Sequence, residues 1–135
     1  MLDSSVAIEA ERQNLNVAEF LRQIVERVGE REVALCSITV AAELAHGIYR
    51  ADTAQRRERR RTFLDELKAA IPVHPITDVT AELVGKISAE SSIAGVTIPF
   101  DDLLIGVCAL ERGYGIATRN PRHFKMIPGL TVLPF

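Results

Sequence analysis

The feature that most constrains this chain is the brevity of its apolar runs and the character of what separates them. Val33–Cys36 and Tyr114–Ala117 are short, bounded by polar residues and without alternation of apolar and polar positions. Runs of this length are too short for helices, and the missing alternation points to strands covered on both faces. The stretches between them carry apolar residues three and four apart. Val17, Phe20, Leu21, Ile24, Val25 and Val28 predict a helix over 17–28, closed by Gly29. Helices are also predicted over Ser37–Arg50, on the stripe Val40, Leu44 and Ile48, over Asp52–Ala70, from Asp78 through Leu83, Val84 and Ile87, and over Asp101–Glu111. Pro72–Ile76 and Leu130–Leu133 read as further short strands. Met1–Asp3 is a short opening run, with Ser4 and Ser5 placed to cap the next element. Short buried strands alternating with helices make βα units, so the expected class is α/β, with a short, mostly parallel sheet flanked by helices.

The 135 residues hold no repeat and no long linker and are read as one domain, 1–135. Hydrophobic residues make up 47% and charged residues 25%, a balance that argues against disordered and low-complexity classes. No apolar run approaches the roughly 20 residues of a membrane span. Asp3 and a helical pattern starting almost at Met1 leave no place for a signal peptide, so a soluble cytoplasmic protein is expected. Cys36 and Cys108 lie in apolar stretches without metal-ligand spacing and are expected as buried, reduced thiols. A net charge of −2 is not that of a basic nucleic-acid binder. It does not exclude a nuclease, whose metal site is itself a cluster of carboxylates. Trp is absent and Tyr and Phe are few, which argues against an aromatic platform for single strands.

In open parallel sheets, ligands bind beyond the carboxyl ends of the strands. Asp3 ends the first apolar run, Glu43 lies in the helix after Val33–Cys36, Asp101 and Asp102 open the most apolar helix, and Asn120 follows Tyr114–Ala117. If the sheet is parallel, all reach the same edge, where oxygen ligands for a hard cation would converge. Each has a plainer reading. Asp101 and Asp102 stand where a helix start favours negative charge. Glu43 is a poor capping-box partner, because Thr39 is four residues back where the box needs three, and an acid among Ala41, Ala42, Leu44 and Ala45 either faces solvent or needs a partner. The arginine run at 56–61 reads as a solvated face or partner contact before an RNA contact, while Arg112, Arg119 and Arg122 stand nearer the acids and are better placed for phosphate.

Four segments carry a family resemblance over essentially the whole chain: LDSSV at 2–6, ITVAAELAHGI at 38–48, PFDDLLIGVCALERGYGIATRN at 99–120 and HFKMIPGLTV at 123–132. Together they resemble a PIN domain, most of all the VapC-type toxin ribonucleases of toxin–antitoxin systems. The resemblance implies a three-layer sandwich and a metal-dependent endoribonuclease that hydrolyses RNA by a metal-activated water, with Mg²⁺ or Mn²⁺ as cofactor. Asp3, Glu43 and Asp102 match the family's metal-binding and catalytic acids. Asp102 fits better than Asp101, which then reads as a helix cap beside the site. Where the family often has a fourth acid, this chain has Asn120 and, at another usual place, His123. Asn120 and Asp101 are the less certain ligands, with Thr118 as support for Asn120. Arg119, Arg122 and Thr118 are the expected substrate contacts, and His123 a lesser candidate. The implied partners are an RNA substrate, a VapB-like antitoxin, a second copy of the chain in a homodimer, and operator DNA reached only through the antitoxin. The competing readings are a non-catalytic PIN-like interaction module and a DNA-directed nuclease with the same site chemistry.

Overall fold

The computed structural model describes residues 1–135. Its centre is a single residue. Leu2 bridges in parallel to Leu35 on one side and to Ala117 on the other. The bonds that hold it are Leu2 N–H to the Ala34 carbonyl (2.9 Å), Asp3 N–H to the Ala117 carbonyl (3.0 Å) and Ala117 N–H to the Met1 carbonyl (2.9 Å). Strand β1 (Leu35–Cys36) pairs in parallel with β2 (Val73–His74), and β3 (Ile116–Thr118) with β4 (Val132–Pro134). The order across the sheet is β2, β1, Leu2, β3, β4, and every pairing is parallel. The strands are shorter than their apolar runs, because β1 drops Val33 and Ala34 and β4 starts two residues later than expected.

Burial on both faces holds so short a sheet together. Alternate residues point to opposite sides. Met1, Cys36 and Ile116 enter one core, with α5 (Asp78–Ile93), α6 (Phe100–Glu111) and α7 (Pro121–Phe124). Leu2, Leu35 and Ala117 enter the other, with α1 (Ser4–Arg12), α2 (Val17–Val28) and α4 (Ala54–Ala70). This is the expected three-layer sandwich. Helix α2 starts with an Asn16–Glu19 capping box and ends at Gly29, whose φ of 80° suits glycine. Its stripe is buried through Val17, Phe20 and Ile24, while Val25 is 41% exposed. The expected helix over 37–50 forms with a different pitch: Thr39–Leu44 is a π-helical turn that leads into α3 (Ala45–Tyr49). A 3.6-residue stripe does not reveal such a widened turn.

The arginine run lies mostly on a solvated face, with Arg60 drawn into the fold. Arg60 donates from Nε to Glu11 (2.8 Å) and from a terminal nitrogen to the Gly47 carbonyl (2.6 Å), tying α4 to α1 and α3. Arg59 reaches Asn14 (2.7 Å), and Arg56 pairs with Asp52. Both cysteines are free and fully buried, and no helix is long and apolar enough to cross a membrane.

Two glycines report how tightly the layers pack. A Cβ on Gly106 of α6 would clash with the Ile127 Cδ1 and stand 3.2 Å from Leu130 and 3.3 Å from Phe124, whereas one on Gly85 of α5 meets nothing within 4 Å. Gly106→Ala is expected to destabilise the fold by about 1–3 kcal/mol through overpacking. Gly85→Ala should stabilise it by about 0.5–1 kcal/mol by restricting the unfolded chain. Urea denaturation of the two variants checks the opposite signs.

Candidate active site

Asp3 follows directly on Leu2, so the central pairing delivers it to the carboxyl edge of the sheet. It is the N-cap residue of α1, yet its side chain makes no cap bond and neither Ser4 nor Ser5 takes the cap position, which corrects the expectation for those serines. The Asp3 carboxylate turns across the sheet instead. Its Oδ2 accepts hydrogen bonds from Ser5 Oγ (2.6 Å) and Thr118 Oγ1 (2.7 Å). The same hydroxyls accept backbone N–H groups, Ser5 from Arg119 (3.1 Å) and Thr118 from Asn120 (2.9 Å). Asp3 is 5% exposed and Thr118 not at all. Thr118 is therefore corrected from substrate contact to internal support: its hydroxyl is committed to Asp3 and to the turn that carries Asn120.

Glu43 stands in the π-helical turn after β1. Its Oε2 is buried and has no hydrogen-bond partner. Burial pushes the carboxyl above its ordinary range, the Ser4 hydroxyl offsets part of this, and the negative charges of Asp3, Asp102 and Asp101 push it up further. Acids from two distant segments, Asp3 and the adjacent pair Asp101 and Asp102, thus act on the Glu43 carboxyl.

Asp102 reaches the same edge because α6 leads into β3 through a tight connection. The contact of Asp102 with His123, which follows β3 closely in the chain, brings the first turn of the helix toward the strand's carboxyl end. Asp101 and Asp102 both occupy that first turn, where the helix dipole favours negative charge. The N-cap is Pro99, without a side-chain bond, so Asp101 is not the cap the sequence suggested; it is an exposed first-turn acid. The Asp102 Oδ2 lies 2.7 Å from Nδ1 of His123, which belongs to the short helix α7 that opens on Pro121. Sequence reasoning offered His123 only as a lesser candidate for substrate and missed this contact; its trace in the sequence was that it stands at a usual place of a family acid. Asn120 is exposed at the N-terminus of α7, with no side-chain cap bond. Arg119 pairs with Glu9 at 2.7 Å and is 44% exposed, while Arg122 is exposed without an ion pair. Arg112 lies away from the acids, where it bonds Glu111 and the Pro75 carbonyl. His46 is exposed on α3, and His74 faces Tyr114.

The family profile of the PIN domain matches residues 1–130. The chain belongs to this family. Ribonuclease VapC from Rickettsia bellii is 29% identical over 133 residues, covering 98% of this chain and 93% of that protein. The PIN domain also superposes on the crystal structure of VapBC2 from Rickettsia felis bound to a promoter DNA fragment. That match has a TM-score of 0.84 and 21% identity, over 100% of this chain and 97% of that one. DNA-bound VapBC from Salmonella typhimurium matches with a TM-score of 0.77 and 26% identity, over 98% of this chain and 94% of that one.

The PIN domain's acids suit a divalent ion in their chemistry. They are hard oxygen donors, one carries an orphaned buried oxygen, and they repel one another. As their side chains stand, no three His, Cys, Asp or Glu residues form a group that could hold a metal ion. A loose set of carboxylates suits Mg²⁺, which keeps several of its waters and takes few protein oxygens. Without an ion, the Glu43 charge is uncompensated. In chelator, Glu43→Gln should melt at or above the parent temperature, by up to about 1 kcal/mol, reduced by water at the carboxyl's exposed part. A clear loss of stability in differential scanning calorimetry would show that the fold already balances this charge.

Proposed function

We propose that this PIN domain is the ribonuclease of a toxin–antitoxin pair, a metal-dependent endonuclease that hydrolyses RNA phosphodiester bonds, with Asp3, Glu43 and Asp102 as its acids. The observation that carries this reading is the Glu43 carboxyl, half-buried, with an unbonded buried oxygen and crowded by Asp3, Asp102 and Asp101. A fold keeps such a destabilising cluster where the charge has a use. The relatives named Ribonuclease VapC support the nuclease assignment, and the VapBC complexes support a VapB-like antitoxin as partner. The same analogy makes a homodimer, with operator DNA reached through the antitoxin, part of the reading.

A bound Mg²⁺ or Mn²⁺ would supply an activated water nucleophile and positive charge opposite the developing phosphoryl oxyanion. Asp3 would hold it with the oxygen that the Ser5 and Thr118 hydroxyls leave free, since both bond Oδ2. Asp102 has the same division, with Oδ2 on His123. Glu43 contributes its unpartnered oxygen. Asp101 adds negative charge at the rim, and Asn120 offers an amide carbonyl there. Arg122 is free to meet a phosphate, whereas Arg119 must first leave Glu9. Neither Cys36 nor Cys108 can act as a nucleophile, because both are 0% exposed.

Asp3→Asn should retain the parent's circular dichroism spectrum and lower cleavage of single-stranded RNA in Mn²⁺ by about a thousand-fold, the scale of losing several kcal/mol of transition-state stabilisation. Cleavage at the parent rate would remove Asp3 from the site. Parallel assays on single-stranded DNA of the same sequence separate the DNA-directed alternative. Calorimetric titration of the parent with MnCl₂ separates the non-catalytic module, which would bind no ion.

A further inference from the structure

We propose that His123 is a positioning residue: its imidazole holds Asp102 in place through Oδ2, so that the carboxylate presents Oδ1 to the site. The inference rests on the metal-dependent reading above. The 2.7 Å contact joins groups 21 residues apart, with side chains 28% and 22% exposed. An ionised carboxylate only accepts, so the bond requires the proton on Nδ1 of the ring.

The packing behind the pair shows why the ring stands there. Asp102 and Gly106 are one turn apart on the same face of α6, and His123 and Ile127 succeed each other along the facing segment. The missing Cβ at Gly106 lets Ile127 close over the place it would occupy, with Phe124 3.3 Å away. Phe124 and Ile127 are 1% and 2% exposed, so the backbone beside His123 is anchored in the core. Pro121 at the start of α7 restricts its entry. The distance between imidazole and carboxylate is therefore set by core packing.

The arrangement repeats that of Asp3. There, two hydroxyls hold Oδ2 and leave Oδ1 without a protein donor; at Asp102 a single ring nitrogen does the same. Without the ring, Asp102 would lose its only side-chain partner while still facing the negative charges of Glu43 and Asp101. Its side chain would then rotate toward water. A partner of this kind orients a ligand and commonly contributes 10–100-fold in metal affinity.

The test is calorimetric titration of the parent, His123→Ala and His123→Asn with MnCl₂, each first shown to be folded by its thermal melt in chelator. His123→Ala should weaken Mn²⁺ binding about 10–100-fold. His123→Asn, whose amide can donate from nearly the same position as Nδ1, should recover most of that loss. In an Asp102→Asn background, His123→Ala should cause no further loss, because the pair acts as one unit. Parent-like Mn²⁺ affinity in folded His123→Ala, or an equal loss in both backgrounds, would overturn the positioning role while leaving the metal reading intact. A parent that binds no Mn²⁺ would overturn both. If His123→Ala does not fold, His123→Asn decides alone: affinity near the parent's supports the role, and a loss as large as that of Asp102→Asn overturns it.

Discussion

Backbone pairing on both sides of Leu2 holds the two halves of the sheet together. Leu2 donates to Ala34 just before β1, while its neighbours Met1 and Asp3 accept from and donate to Ala117 of β3, and without this crossing the pairs β1–β2 and β3–β4 would be separate two-stranded ribbons. Such ribbons are marginal in water. Burial of both faces makes so little pairing sufficient, because each face closes a separate apolar core. The same pairing determines where Asp3 stands. Asp3 is the next residue along the chain, and the bond from its own N–H to Ala117 places it beside the end of β3.

Around that point the structure accepts electrostatic cost. Asp3 is buried, Glu43 is partly buried with an unbonded oxygen, and Asp101 and Asp102 share a first helical turn. The neighbouring groups answer this unevenly. Hydroxyls stabilise Asp3 and an imidazole stabilises Asp102, while Glu43 is left with burial and like charge, only partly relieved by Ser4. The π-helical turn that carries Glu43 is consistent with this division, since widened turns often mark places where side-chain direction matters more than regular pitch.

Much of the fold could be read from local signals. Asn16, Gly29 and the apolar spacing of 17–28 define α2 with little help from elsewhere. Short runs without alternation point to a parallel sheet covered on both sides, because a strand buried twice has no polar face to show. The limits of local reading were the ends of elements and the caps. Ser4 and Ser5 look like caps in one dimension, but Asp3 has a better partner in Thr118, which lies 115 residues away. Asp101 resembles a cap, yet Pro99 holds that position. The arginine run reads as a solvated face, as exposed Arg56, Arg57 and Arg59 are, but the spacing did not show that Arg60 is held by Glu11 and a Gly47 carbonyl.

The amino-acid sequence by itself determined the layer architecture and the family, and it singled out the acids proposed for the site, because periodicity, composition and residue type act locally and survive without coordinates. Tertiary structure alone decided which oxygen of Asp3 and of Asp102 is bonded, that the Thr118 hydroxyl is committed to Asp3, and that His123 faces Asp102. Those facts depend on distances between segments about twenty to more than a hundred residues apart. Such distances are set by how a glycine, a leucine and two cores pack, and no local pattern encodes them.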